Sequence, residues 1–273
     1  MTRYVVKQVF IASIFFSILF GFGFLLYLDL KPKPSCSDGI INQGEEEIDC
    51  GGPCVSCELT KIEDLEVLWV KIFSGEDNFH DLAAQIKNPN QNYGSGNISY
   101  KFTLYDSANN IITEYFGATF ILPNQTKYLL KTRLENPKLI KRIDLSFGKV
   151  EWEKPFTYEP VQLVVQRKEY HLLEESERGY SQIKALLINQ TNFDFEKVDI
   201  DILLFNSSHD LVAINTTELR MLSSGQKRDF VATWYKKLDG QISFIEIEPE
   251  TNIFDSSNFI SSDTSKPEPF QEY

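Results

Sequence analysis

Residues Val9 to Leu28 form an uncharged, almost wholly apolar run, and no other feature constrains the architecture of the chain as strongly. VFIASIFFSILFGFGFLLYL contains no Asp, Glu, Lys, Arg, Asn, Gln or His. As a helix rising about 1.5 Å per residue it spans roughly 30 Å, the thickness of a bilayer's hydrocarbon core. The apolar core of a cleaved signal peptide is shorter, about 7–15 residues. No small-x-small cleavage site follows, because Asp29, Leu30, Lys31 and Pro32 come next. Lys33-Pro34-Ser35 ahead of Cys36 is not an apolar lipobox either. The sequence therefore predicts an uncleaved transmembrane signal anchor over residues 9–28, behind a short N-terminus of residues 1–8.

Arg3, Lys7 and the α-amino group favour a cytoplasmic N-terminus, a preference that Lys31 and Lys33 weaken and Asp29 partly restores. The cysteines argue independently. All four (Cys36, Cys50, Cys54 and Cys57) follow the anchor closely, and none occurs later. Cysteines clustered beside a membrane segment read as oxidised and extracytoplasmic. The expected location is a plasma membrane crossed once, with the C-terminal bulk outside.

With a net charge of −12 and a pI near 4.8, the chain lacks the Lys/Arg excess that nucleic acid or anionic lipid surfaces require. Its 21 Phe and 12 Tyr against 2 Met suit pleated, half-buried strands. Five N-x-S/T sequons, at Asn97, Asn124, Asn189, Asn206 and Asn215, are compatible with a glycosylated exterior and equally with turn-forming Asn beside Ser or Thr.

Residues 36–57 read CSDGIINQGEEEIDCGGPCVSC. Their glycines and Pro53 leave no room for a helix or long strand, and so short a segment cannot bury a core, so cross-links must hold it. Two disulfides are expected, with all three pairings open. Cys54-x2-Cys57 plus Cys36 and Cys50 also permits a four-thiolate zinc site, which suits a reducing compartment better. The oxygens of Asp38, Asn42, Glu45, Glu46 and Asp49 are of the kind Ca²⁺ takes, without EF-hand spacing. A disulfide-rich linker over residues 29–60, with no cofactor, is the leading expectation.

Cys36-Ser37-Asp38-Gly39, Asn42-Gln43-Gly44-Glu45 and Asp49-Cys50-Gly51-Gly52-Pro53-Cys54-Val55-Ser56-Cys57 resemble a cysteine-rich motif that recurs in prokaryotic surface proteins. The resemblance covers these residues alone. It implies a surface linker module beside β-sandwich domains, not a reaction.

The remainder repeats with a period near 100 residues. Ile98, Tyr100, Phe102 and Leu104 alternate with Ser99, Lys101, Thr103 and Tyr105; Val198, Ile200, Ile202 and Leu204 alternate with Asp199, Asp201, Leu203 and Phe205. Such alternation is a strand with one face on a core, and it makes Phe102 and Ile202 equivalent core positions. Turns follow at 106–110 and 206–210, further turns at 122–125 and 222–225, and each copy closes on a strand, 143–147 and 244–247. Ala84–Asn88 aligns with Ala185–Asn189. About seven short strands per copy predict two tandem Ig-like β-sandwiches, over 61–155 and 161–254, in a mainly β protein. The prolines between Glu153 and Pro160 predict a stiff linker with few contacts between the copies. The Ser-, Pro- and acid-rich residues 255–273 read as a disordered tail.

Phe102-Thr103-Leu104-Tyr105-Asp106 matches the naming motif of the FxLYD family of small Ig-like domains, and the layout is similar to bacterial cell-adhesion-related Ig-like modules. The second copy departs from that motif, as Ile202-Leu203-Leu204-Phe205-Asn206. The resemblance implies extracytoplasmic β-sandwiches, often membrane-anchored, and brings no catalytic residues.

Nothing in the sequence points to catalysis. His80, His171 and His209 have no second His at ligand spacing, and no nucleophile elbow, zinc-protease, P-loop or dinucleotide pattern occurs. Gly94-Ser95-Gly96 reads as a hairpin loop, Glu174-Glu175-x-Glu177 as a solvated loop, and Trp69, Trp152 and Trp234 as packing residues. The expected function is a binding or spacer module at the cell surface, anchored by its helix and engaging a protein or glycan. Alternatives are an accessory subunit of an envelope or secretion assembly and, less favoured, an enzyme with an unrecognised site.

Overall fold

The computed structural model describes residues 2–30, 35–74, 79–135, 139–155, 161–174, 177–238 and 240–260. The chain divides into two compact units, Met1–Ile62 and Glu63–Tyr273.

The first unit begins with helix α1, Thr2–Leu30. Within it Lys7–Tyr27 has a mean hydropathy of 2.5 and buries none of its surface against protein. A helix apolar on every face finds no partner in water, so it needs lipid or another helix. The cysteine segment is held by disulfides Cys36–Cys54 and Cys50–Cys57, which overlap along the chain. Gly51 (φ +82°) and Gly52 (φ +57°) make the sharp return between them. A Cβ there would lie 2.7 Å from the Glu46 amide nitrogen and 2.6 Å from the Gly44 carbonyl oxygen respectively. The zinc reading fails here: with every cysteine oxidised, no thiolate is left for a metal.

The second unit holds two β-sandwiches. In the first, β1 (Glu66–Ser74), β2 (Phe79–Lys87) and β5 (Thr126–Glu135) form one antiparallel sheet in the order β1-β2-β5. Strands β3 (Ser95–Tyr105), β4 (Ile111–Ile121) and β6 (Arg142–Phe147) form the other, β4-β3-β6. Leu82, Ala84, Ile86, Ile98, Tyr100, Phe102, Leu104, Ile121 and Leu129 fill the space between the two sheets. The second sandwich repeats the plan. Strands β7 (Leu163–Leu172), β8 (Ser181–Asn189) and β11 (Lys227–Trp234) form β11-β8-β7; β9 (Asp194–Phe205), β10 (Leu211–Leu222) and β12 (Phe244–Glu250) form β10-β9-β12. Among the described residues each copy has six main strands, longer and fewer than the expected seven. Phe102 and Ile202 are both fully buried, as their shared phase requires.

The copies also share their polar devices. Asn88 and Asn189 are both fully buried at the ends of β2 and β8. The Asn88 amide donates to the Tyr93 and Leu122 carbonyls, and that of Asn189 to Phe193, Leu222 and Ser223. Each thereby ties the loop before the next strand to the turn after β4 or β10, satisfying carbonyls that would otherwise be stranded. Asp106 and Asn206 close equivalent turns by accepting the amides of Ala108 and Asn110, and of Ser208 and Asp210. Asn109 and His209 take the left-handed conformation in those turns, at φ 66° and 62°.

Two sequence expectations are corrected. Residues 255–260 are not tail: Asp255 caps a 3-10 turn over Ser256–Asn258, and β13 (Phe259–Ile260) pairs with β9. There Phe259 packs its ring on Phe193 and Phe195, which repays the ordering of a polar segment; residues 261–273 lie outside the described residues. The sandwiches are not poorly connected either. A third apolar cluster, built from Ala83, Tyr128, Leu203, Leu211 and Ile214 with Trp69, Phe73, Leu130 and Phe205 around it, draws on both copies. Of the proline linker, residues 156–160 lie outside the described residues, so the connection seen is the packed one.

Candidate functional site: the seam between the sandwiches

The seam joins the outward faces of β1, β2 and β5 to those of β9, β10 and β12. Its apolar part exists because alternate residues of the same strands serve two cores: Leu82 and Ala84 face inward, Ala83 the seam; Ile202 and Leu204 inward, Leu203 the seam. Leu203 and Ala83 are fully buried.

Beside this cluster the seam is polar and ordered. The Trp69 indole N–H donates to Gln85 (2.8 Å), the Gln85 amide to the Tyr128 hydroxyl (3.1 Å), and that hydroxyl to the Glu246 carboxylate (3.3 Å). This chain runs from three strands of the first sandwich to β12 of the second. Lys127 and Glu250 form an ion pair at 2.5 Å with side chains only 4% and 9% exposed. Gln125 donates to the other Glu250 oxygen at 2.8 Å, and the Lys127 ammonium lies 3.9 Å from the Phe120 ring centre. Both Glu250 oxygens thus have partners, which offsets part of the cost of burying the pair.

Glu246, Glu248 and Glu250 alternate along β12 and so share one face. Register sets Glu248 opposite Asp201 and Glu250 opposite Asp199. Like charges directly opposed raise each other's proton affinity. Loss of hydration, then Glu250, pushes Asp201 up to about 7 against the pull of Lys127. Loss of hydration, then Glu246 and Glu250, pushes Glu248 up to about 8. Burial first and Asp201 second carry the Tyr100 hydroxyl up to about 12, and burial with Glu246 and Glu248 raises Tyr128.

At one end the seam opens into a cleft of about 410 Å³ lined by residues of both copies, among them Asn97, Thr119, Lys197, Asp199, Arg220 and Asn252. Gly94 and Gly96, expected as a hairpin loop, instead lead into β3 where Phe254 presses on them: a Cβ at either would lie 2.6 Å from that side chain. Asn252 donates to the Gly96 carbonyl at 3.0 Å and the Gly96 amide to Glu153 at 3.1 Å. Here the absence of a side chain permits close docking between the copies rather than a tight turn.

The residues singled out in the cysteine segment behave differently. Asp38 accepts the Ser35 and Ile40 amides and the Asn42 side-chain amide, a bond that leads in holding its carboxyl below the ordinary range. Asp49 accepts the Gly39 amide, and Glu45 that of Asn42. These oxygens cap the backbone of a turn-rich knot. The Cys36–Cys54 bridge, eighteen residues apart, gives about 3 kcal/mol in the chain-entropy model. Elsewhere, His80 lies on β2, His171 on β7, and His209 stacks on Phe244 with ring centres 4.2 Å apart. The Glu177 carboxylate accepts the Glu174 amide at 3.0 Å, and Glu175 lies outside the described residues. Of the sequon asparagines, Asn189 is sealed in its carbonyl network and the Asn206 oxygen closes a turn, whereas Asn97 and Asn124 are exposed. Trp152 packs against the first core and Trp234 belongs to the second, but Trp69 stands in the seam.

A scan against known protein-family models gives no match. Comparison with curated proteins gives none either.

Proposed function

We propose that the chain is a single-pass surface protein. Its N-terminal helix anchors it, and its two sandwiches, read as Ig-like and of FxLYD type, form a stiff binding or spacer arm outside the cell. The observation that carries this reading is the seam. A module that holds a partner at a fixed distance needs domains that do not swing, and a buried cluster with an ion pair and a hydrogen-bonded chain resists swinging where a bare linker would not. Disulfides in the segment following an apolar helix support an oxidising exterior. The FxLYD residues support the family reading by position: Phe102 and Leu104 point into the core and Asp106 closes the turn. The cleft offers amide, carboxylate and guanidinium groups suited to a polar partner such as a glycan or a protein loop.

Topology is tested on intact cells carrying the full chain. Impermeant protease should cut beyond residue 35, alkylation should find no free thiol, and mass spectrometry should find the helix retained. A mature N-terminus after residue 28, or four alkylatable thiols, would overturn the reading.

A further inference from the structure

We propose that the seam is a proton-linked clamp, in which the two sandwiches lock together more firmly when Asp201 and Glu248, within the carboxyl ladder of β9 and β12, carry protons and less firmly when they ionise. The ladder comprises Asp199 and Asp201 on β9 and Glu246, Glu248 and Glu250 on β12, with Glu248 opposite Asp201 and Glu250 opposite Asp199. Every element packed on it contributes a group that bears on its charge. From β5 come Lys127, committed to Glu250, and Tyr128, donating to Glu246. Tyr100 on β3 feels Asp201. Lys197 on β9 pairs with Asp199 at 2.7 Å and reaches Glu218 of β10 at 3.6 Å; Thr216 of β10 hydrogen-bonds Asp201. Lys168 on β7 donates to the Ile245 carbonyl at 3.4 Å. The cations nearest the ladder are thus held by Glu250 and Asp199, while Glu248 hydrogen-bonds Glu246, an arrangement two carboxyl groups adopt by sharing one proton.

The direction follows from linkage. Asp201 and Glu248 hold protons in the packed state up to about 7 and about 8, well above a solvated carboxyl. Packing therefore takes up protons. Its stabilising contribution is complete below the ordinary carboxylate range, declines as pH rises through neutrality, and is spent above about 8.

Urea unfolding of the full chain in detergent micelles at pH 5.5, 7.0 and 8.5, for wild type and for Asp201→Asn/Glu248→Gln, tests this. Histidine contributions are common to both proteins and drop out of the comparison. The wild-type unfolding constant should rise about tenfold or more relative to the variant's from pH 5.5 to 8.5, because each proton released on opening contributes up to about tenfold per pH unit. At pH 8.5 the variant should be the more stable. Parallel pH curves, or a wild type that gains on the variant as pH rises, would overturn the clamp. Should the double variant not fold, ¹³C-carboxyl titration of wild type reads the same property. A carboxyl with its midpoint above pH 6 that is missing in Asp201→Asn or Glu248→Gln supports the proposal, and none above pH 6 defeats it.

Discussion

In the first sandwich β3 turns Ser99, Lys101, Thr103 and Tyr105 away from its core; in the second, the matching positions on β9 are Asp199, Asp201, Leu203 and Phe205. Lys101 pairs with Glu114 at 2.8 Å and Tyr105 lies under the Arg142 guanidinium, so the outer face of β3 is finished by local polar and cation–π contacts. Leu203 and Phe205 instead join Leu211 and Ile214 of their own sheet in an apolar cluster completed by Ala83, Tyr128 and Trp69 of the other copy. The inner faces of these strands, by contrast, are buried and apolar in both copies, Tyr100 alone adding a hydroxyl where the second copy has Ile200. A repeated sandwich can therefore keep its fold through one side of each strand and acquire its assembly through the other. The period of two lets the sides vary independently.

The comparison is tested most severely in the cores. Phe102→Ala should cost about 3–5 kcal/mol and Ile202→Ala about 2–5, since both leave cavities in fully buried positions. Urea unfolding monitored by circular dichroism measures both. A cost under 1 kcal/mol for either would break the equivalence of the inner faces. Next comes the ion pair that one outer face supplies to the other. Lys127→Met strands a buried carboxylate and should cost about 3–5 kcal/mol, while adding Glu250→Leu should recover much of it. A double-mutant cycle with no coupling would show the pair to be incidental.

The shared devices sharpen the comparison at lower energy. Asn88→Ala and Asn189→Ala should each cost about 1–3 kcal/mol and by similar amounts, because each strands buried carbonyls in the same corner of its copy. Asp106→Ala and Asn206→Ala should cost about 1 kcal/mol each, at exposed turns where water replaces part of the bond. Unequal costs within either pair would mean that the repeat is one of outline only.

How much of this was legible follows from the same distinction. Alternation placed Phe102 and Ile202 correctly because strand phase is local, and the turns at 106 and 206 carry their closing side chain at the first position. Four cysteines in a coreless segment announced cross-links, but their pairing depends on how Gly51 and Gly52 fold the chain back, which spacing does not encode. The seam was least legible. Leu203 and Phe205 interrupt a polar face, a signal available in the sequence, but their partner Ala83 is small and unremarked. Lys127 reads as a solvated strand residue until Glu250, 123 positions away, arrives to bury it. The proline linker suggested separation, yet apolar area and a satisfied charge pair outweigh linker stiffness. Residues 255–260 look like tail by composition and are ordered by two aromatic rings that no local rule locates.

The central claim is that two sandwiches behave as one body because the seam joins them. Calorimetry of the full chain in micelles tests it directly, with wild type, Phe102→Ala, Ile202→Ala and Leu203→Asp compared. The account predicts one cooperative transition for the sandwiches, lowered as a whole by either core substitution, and split in two by Leu203→Asp, which puts a charge in the seam and in neither core. Two transitions in the wild type, each moved by only one of the core substitutions, would contradict it.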